Sequence, residues 1–195
     1  MTNPLLQDHV LPLFESIEPS HVRPAIEEIL EQNRALIESC LARKGGYTYE
    51  NLVEPLEHAD DRLNRAWSPV SHLNAVSNSD ALREVYNETL PLLSAYATEV
   101  GQNDALFDAY RSIADSEAYC LLDVSQKKII DNALRDFRLS GVDLPKDKKA
   151  RFKEIAEELT RLSSQFQDNV LDATQGWHRH LLEERELVGL SLIHI

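Results

Sequence analysis

The chain has 195 residues, 43% of them hydrophobic and 27% charged, with a formal net charge of -13. That length suits one medium domain, or one domain plus the start of another, and it supports a core without disulfide staples. The composition excludes a disordered chain. The acidic balance, with no Lys/Arg cluster to reverse it locally, excludes nucleic acid as a partner and leaves a peptide admissible.

Two cysteines, Cys40 and Cys120, lie far apart. A disulfide framework needs more, so a reducing cytoplasm is expected, and both are read as small core residues. The start, Met-Thr-Asn-Pro-Leu-Leu, lacks the basic-then-apolar pattern of a signal peptide. No run of about 18 apolar residues is present to span a bilayer, so no membrane association is expected.

Residues 1–19 carry Pro4, Pro12 and Pro19 and are read as an extended arm. A helix then follows with Ser20 as its cap, and Ile26, Ile29, Leu30, Asn33, Leu36, Ile37, Cys40 and Leu41 recur at spacings of three and four. Pro24 falls in its first turns, and Gly45 and Gly46 stop it. Thr48 caps a second helix that keeps its apolar period from Leu52 past Pro69 to Leu73, with Pro55 and Pro69 expected to bend or locally break it. Ser79 opens a third helix ending near Gly101, and a fourth runs from about Asp104 to Ala114. A fifth runs from about Ser125 to Leu139 and stops at Gly141.

Pro145 starts the longest pattern, with Phe152, Ile155, Leu159, Leu162, Phe166 and Val170 as one stripe and Glu157 placed for an (i, i+4) pair with Arg161. No period-two run occurs before Trp177. The predicted class is all-α, with short loops that favour antiparallel helical hairpins in a bundle. After Gly176 the pattern changes: Trp177 to Leu182 reads as the start of a strand or of a new helix. The apolar ending Ser-Leu-Ile-His-Ile reads as a truncated end. The expected organisation is thus an arm (1–19), a helical domain (20–175) and the start of a next segment (176–195).

No chemistry-bearing constellation emerges from spacing. A zinc peptidase helix needs H-E-x-x-H, which is absent. His178 and His180 are two apart, which suits one side of a strand and not of a helix; two polar residues on a partly exposed segment are the plainer reading. His9, His21, His58 and His72 are isolated. Asp60–Asp61 and Glu183–Glu184 are adjacent pairs whose members diverge by about 100° on a helix, so they read as solvated faces. Ser68, Ser71 and His72 have no orienting acid at recognisable spacing. The aromatic residues, among them Trp67, Tyr86, Tyr96, Phe107, Tyr110, Phe137, Phe152 and Phe166, read mostly as core. No catalytic, cofactor-binding or metal-binding residue is assigned.

Several segments nevertheless resemble a known family. Tyr47-Thr-Tyr-Glu-Asn-Leu, Trp67-Ser-Pro-Val-Ser-His-Leu-Asn-Ala-Val, Leu90-Pro-Leu-Leu-Ser, Gln126-Lys-Lys through Asn132-Ala-Leu-Arg-Asp-Phe to Leu139-Ser-Gly, and Asn169-Val-Leu-Asp-Ala-Thr before Trp177 occur in the order found in the amino-terminal region of the oligopeptidase A branch of the thimet oligopeptidase and neurolysin family. The resemblance covers residues 1 to 190. It implies part of a mostly helical, two-lobed cytoplasmic zinc metalloendopeptidase whose deep channel admits short peptides. In that family the zinc helix lies later in the chain, so this part is expected to form a channel wall, to bind no zinc and to be inactive alone. The remainder of the peptidase chain is the implied partner. Ser191 to Ile195 departs from the family and is expected not to be native. The alternatives from other classes are a free-standing helical module that binds a peptide or protein without hydrolysis, and a non-enzymatic regulator of the full enzyme.

Overall fold

The computed structural model describes residues 3–189, and among these the fold is all-α. Two compact units divide the chain, Met1–Arg161 and Leu162–Ile195. The helices are α1 (Pro19–Leu41), α2 (Glu54–Val76), α3 (Asp80–Gly101), α4 (Asp104–Ala114), α5 (Val124–Leu139) and α6 (Lys146–Gly176), the unit boundary falling within α6.

The first unit is built around α1. Its stripe at spacings of three and four is buried along its whole length: Val22, Ala25, Ile26, Ile29, Leu30, Asn33, Ile37 and Cys40. The amino-terminal half joins one core, with Leu5 from the arm, Leu63, Ala66 and Val70 from α2, and Leu82 and Tyr86 from α3. The carboxy-terminal half joins a second core, in which Leu106, Phe107, Tyr110 and Ile113 of α4 meet Ile130 and Phe137 of α5. Each buried aliphatic side chain contributes about 1.5–3 kcal/mol by leaving water. Phe137 also meets the rings of Phe107 and Tyr110 edge-on, with centroids 5.9 and 5.5 Å apart.

Local chemistry sets the element ends. Helix α1 begins two residues earlier than the reading of Ser20 as its cap allows. Pro19 is the first helical residue, where its fixed φ and missing amide suit the position. The Glu18 backbone N–H donates instead to His21 Nδ1 at 3.1 Å. Within the arm, Pro4–Leu6 and Phe14–Ser16 wind into single 3-10 turns, and Leu5 is buried. Thr48 does cap the next segment: Thr48 Oγ1 accepts from the Asn51 N–H at 3.2 Å and Asn51 Oδ1 from the Thr48 N–H at 2.9 Å.

A π-helical turn, Tyr49–Val53, follows and places Pro55 in the first turn of α2. Pro69 does not interrupt α2, contrary to a local break there. The helix runs on to Val76 because Pro69 and Val70 are both buried in the core, which offsets one missing hydrogen bond. Side chains of Ser79, Asn103 and Asp123 cap α3, α4 and α5. Gly141, at φ 85°, ends α5. There the Val142 N–H reaches back to the Phe137 carbonyl at 3.1 Å and the Val142 side chain is buried.

Helix α6 departs from the packing its pattern suggests, since none of its residues is buried. Within the first unit it is held on a different face. Lys149 Nζ pairs with Asp104 at 2.7 Å, and Thr160 Oγ1 lies 3.2 Å from Ser94 Oγ. Arg161 pairs with Glu158 at 2.7 Å, and Lys153 reaches Glu157 at 3.8 Å.

The second unit comprises the last turns of α6, an irregular stretch and a 3-10 turn at Glu184–Leu187. Trp177 to Leu182 forms neither strand nor helix. Trp177 and Leu182 are 73% and 84% exposed, so no apolar burial drives either structure there. Arg179 pairs with Glu186 at 2.6 Å. Ser191 to Ile195, with the readings of them as truncated and non-native, lies outside the described residues.

Two substitutions test this account by urea unfolding. Phe137→Ala is expected to lower stability by about 3–5 kcal/mol, through the cavity left beside the rings of Phe107 and Tyr110. Gly141→Ala is expected to cost at least about 1 kcal/mol, because φ is positive and the new Cβ would lie 2.6 Å from Leu144 Cδ1.

Candidate functional site

The residues considered for chemistry do not converge. His178 and His180 lie on the irregular stretch after α6 and are exposed. Among the described residues no three His, Cys, Asp or Glu side chains come together to hold a metal ion, so these residues do not fit a zinc site. Asp60 and Asp61 diverge around α2 into two different clefts. Glu183 pairs with Arg185. Ser68 and His72 line one cleft, and the His72 ring meets Phe14 at 5.6 Å between centroids. Cys40 is buried, but Cys120 is exposed, a correction to its reading as core: α4 ends at Ala114 and the chain winds a 3-10 turn, Glu117–Leu121, with no buried residue. Among the described residues no helix is long and apolar enough to cross a membrane.

What the first unit offers is two clefts. One, of about 900 Å³, lies between the arm and α2. The arm is tied down across it by Arg65, whose guanidinium pairs with Asp8 at 2.9 Å and donates to the His9 carbonyl. The other, of about 650 Å³, opens where the two cores meet and is lined from both. Leu63, Trp67 and Leu93 form part of its apolar wall. Trp67 is fixed by stacking on Tyr86, with centroids 4.9 Å apart.

The polar groups of this second cleft come from all six helices, among them Asn33 from α1, Glu57 and Asp60 from α2, Tyr96 from α3, Tyr110 from α4, Asp136 from α5 and Thr160 from α6. Asn33 is buried and donates to the Ala59 carbonyl at 3.4 Å. Loss of hydration, with repulsion from Asp60, pushes the Glu57 carboxyl above its ordinary range. Burial pushes the Tyr110 phenol strongly up. Sequence periodicity marked Trp67, Tyr96 and Tyr110 as core. It missed the cleft because periodicity finds the inward face of each helix and not the gaps between faces.

A third feature is the α6 stripe. Ile155, Leu159, Leu162, Phe166 and Val170 are 44–69% exposed, so five consecutive apolar positions of one helix face water. Beyond Phe152, which is half-buried, the stripe is bare, and Phe166 with it stands outside any core.

The family model described as the neurolysin/thimet oligopeptidase N-terminal domain matches residues 20–149. Oligopeptidase A of Salmonella typhimurium is 52% identical over 190 residues, covering 97% of this chain and 28% of the relative. Oligopeptidase A of Escherichia coli matches to the same extent. A dipeptidyl carboxypeptidase of Salmonella typhimurium is 28% identical over 194 residues. The chain thus spans somewhat over a quarter of the length of these relatives. With two-thirds of its residues inside the matched domain and that domain's all-helical fold, the chain belongs to the neurolysin/thimet oligopeptidase N-terminal domain family.

Proposed function

We propose that this chain supplies a channel wall of a zinc metalloendopeptidase of the oligopeptidase A type, acting on short peptides in the cytoplasm, with the zinc ligands carried by sequence beyond these residues. The observation that carries the reading is identity at half of all positions with two bacterial oligopeptidases A across nearly the whole chain. The described residues themselves fit no metal ion, so no bond-breaking step is assigned to them. The bare stripe on α6 supports a role within a larger fold, since an exposed apolar row of this length is the kind of surface that packs against more protein. The same stripe also favours the second reading, a helical module that binds a peptide or protein without cleaving it.

A chimera separates the two. Residues 1–190 replacing the matched segment of Escherichia coli oligopeptidase A are expected to restore chelator-sensitive cleavage of a quenched fluorescent oligopeptide, while the chain alone gives no turnover with or without zinc. A folded, zinc-loaded chimera without activity would overturn the channel-wall reading. Turnover by the chain alone, abolished by chelator, would overturn the placement of the zinc ligands beyond it.

The stripe makes a separate prediction. In the isolated chain, Leu162→Ser with Phe166→Ser should lower the fluorescence of a bound apolar dye several-fold while changing unfolding free energy by less than about 0.5 kcal/mol, as for other exposed positions. In the chimera the same pair should lower the melting temperature. A stability loss in the isolated chain as large as in the chimera would show that the stripe is already covered without the rest of the enzyme.

A further inference from the structure

We infer that the cleft between the two cores of the first unit is a binding site for an organic ammonium ion carrying an apolar body, with Trp67, Tyr96 and Tyr110 around the cation and Glu57 and Asp60 at the mouth. Three observations converge on this chemistry. The cleft has about 650 Å³, the size of small-ligand sites, and its walls are mostly leucine and aromatic carbon. Its charged groups on α2, Glu57 and Asp60, are one turn apart and both anionic. Asp60 accepts from Asn64 at 3.1 Å, but among the described residues no cation pairs with Glu57. Loss of hydration, with repulsion from Asp60, raises the Glu57 carboxyl.

The third observation is Tyr110. The residue is 5% exposed and lines the cleft, and its hydroxyl keeps contact with solvent and makes no hydrogen bond to the described residues. A hydroxyl that still meets water at the cleft can exchange that water for a ligand N–H. Aromatic faces attract a cation through their quadrupole and tolerate the apolar body beside it, while an anion in the same place would meet Glu57 and Asp60. A carboxylate, a phosphate or a purely apolar guest matches only part of this lining. An ammonium with an alkyl or aryl body matches all of it.

Two sources share that chemistry: a free amine, and the amino terminus of a peptide whose first residue is apolar. The assignment does not rest on the peptidase reading, and its test does not involve hydrolysis.

Trp67 lines the cleft, so its emission reports occupancy once Trp177, which does not line it, is replaced by Phe. With the full chain in that background, phenethylamine should saturate the signal at a Kd about tenfold below that of uncharged 2-phenylethanol, the ratio that 1.4 kcal/mol of cation recognition provides. Glu57→Gln should remove most of that preference, and Tyr110→Phe should weaken phenethylamine about fivefold. Asp60→Asn serves in place of Glu57→Gln if the latter loses helicity by circular dichroism. Saturation by Phe-Ala-Ala-amide but not by its acetylated form would support the site with a peptide amino terminus as its source. Saturation by phenethylamine alone would support it with a free amine. Equal affinity for the charged and neutral probes, no saturation by any probe, or a preference that survives both substitutions in folded variants would overturn it.

Discussion

A single helix has to serve two cores, and the first unit depends on how α1 meets that demand. Its stripe is one continuous row at spacings of three and four, but the row changes partners part of the way along. Val22, Ala25, Ile26, Ile29 and Leu30 are covered by the arm, α2 and α3, whereas Ile37 and Cys40 are covered from α4, α5 and the π-helical turn before α2. Asn33 sits between the two sets, buried and polar, with its amide spent on the Ala59 carbonyl. A polar residue in mid-stripe is tolerated because it is hydrogen-bonded, and it falls where neither core closes fully.

The cleft at the seam follows from that arrangement. Two cores packed at interior density leave little space within themselves. Where their side chains fail to interdigitate, a gap remains whose walls are the outer members of each, such as Leu63 and Trp67 on one side and Tyr110 and Phe137 on the other. The seam also collects polar groups, because residues at the margin of a core can keep contact with water. Glu57 and Asp60 are such residues. Apolar walls, aromatic faces and unpaired carboxylates therefore occur together as a consequence of the architecture, and the inferred ammonium site uses all three.

Helix α6 shows the opposite case, an apolar stripe with no core to join. Its hold on the first unit is polar and partial, through Lys149 and Thr160, while the row from Ile155 to Val170 is left to water. In an isolated soluble domain such a row is a liability. In a family whose members are more than three times as long as the matched segment, it is consistent with the proposed place of this domain in a larger peptidase.

All-α class, the order of the six helices and most of their ends were legible from short-range rules, because the deciding interactions are local. Ser79, Thr48 and Gly141 act within a turn of their own position, and apolar spacing reports which side of a helix avoids water. Local rules misplaced Ser20 as a cap and allowed Pro69 to bend or locally break α2; no break occurs, because burial of the proline outweighs its lost hydrogen bond. The order of motifs such as Trp67-Ser-Pro-Val-Ser-His-Leu pointed to the family before any contact was known. By itself, then, the sequence determined the helices, their boundaries to within a few residues, and the kinship. Only the tertiary structure decided which stripes are covered: α1 wholly buried, α6 bare, Cys120 outside, and Tyr110 with Glu57 facing one cleft. Periodicity specifies a face in search of a partner, and whether that partner arrives depends on contacts between residues distant in the chain, which no local pattern encodes.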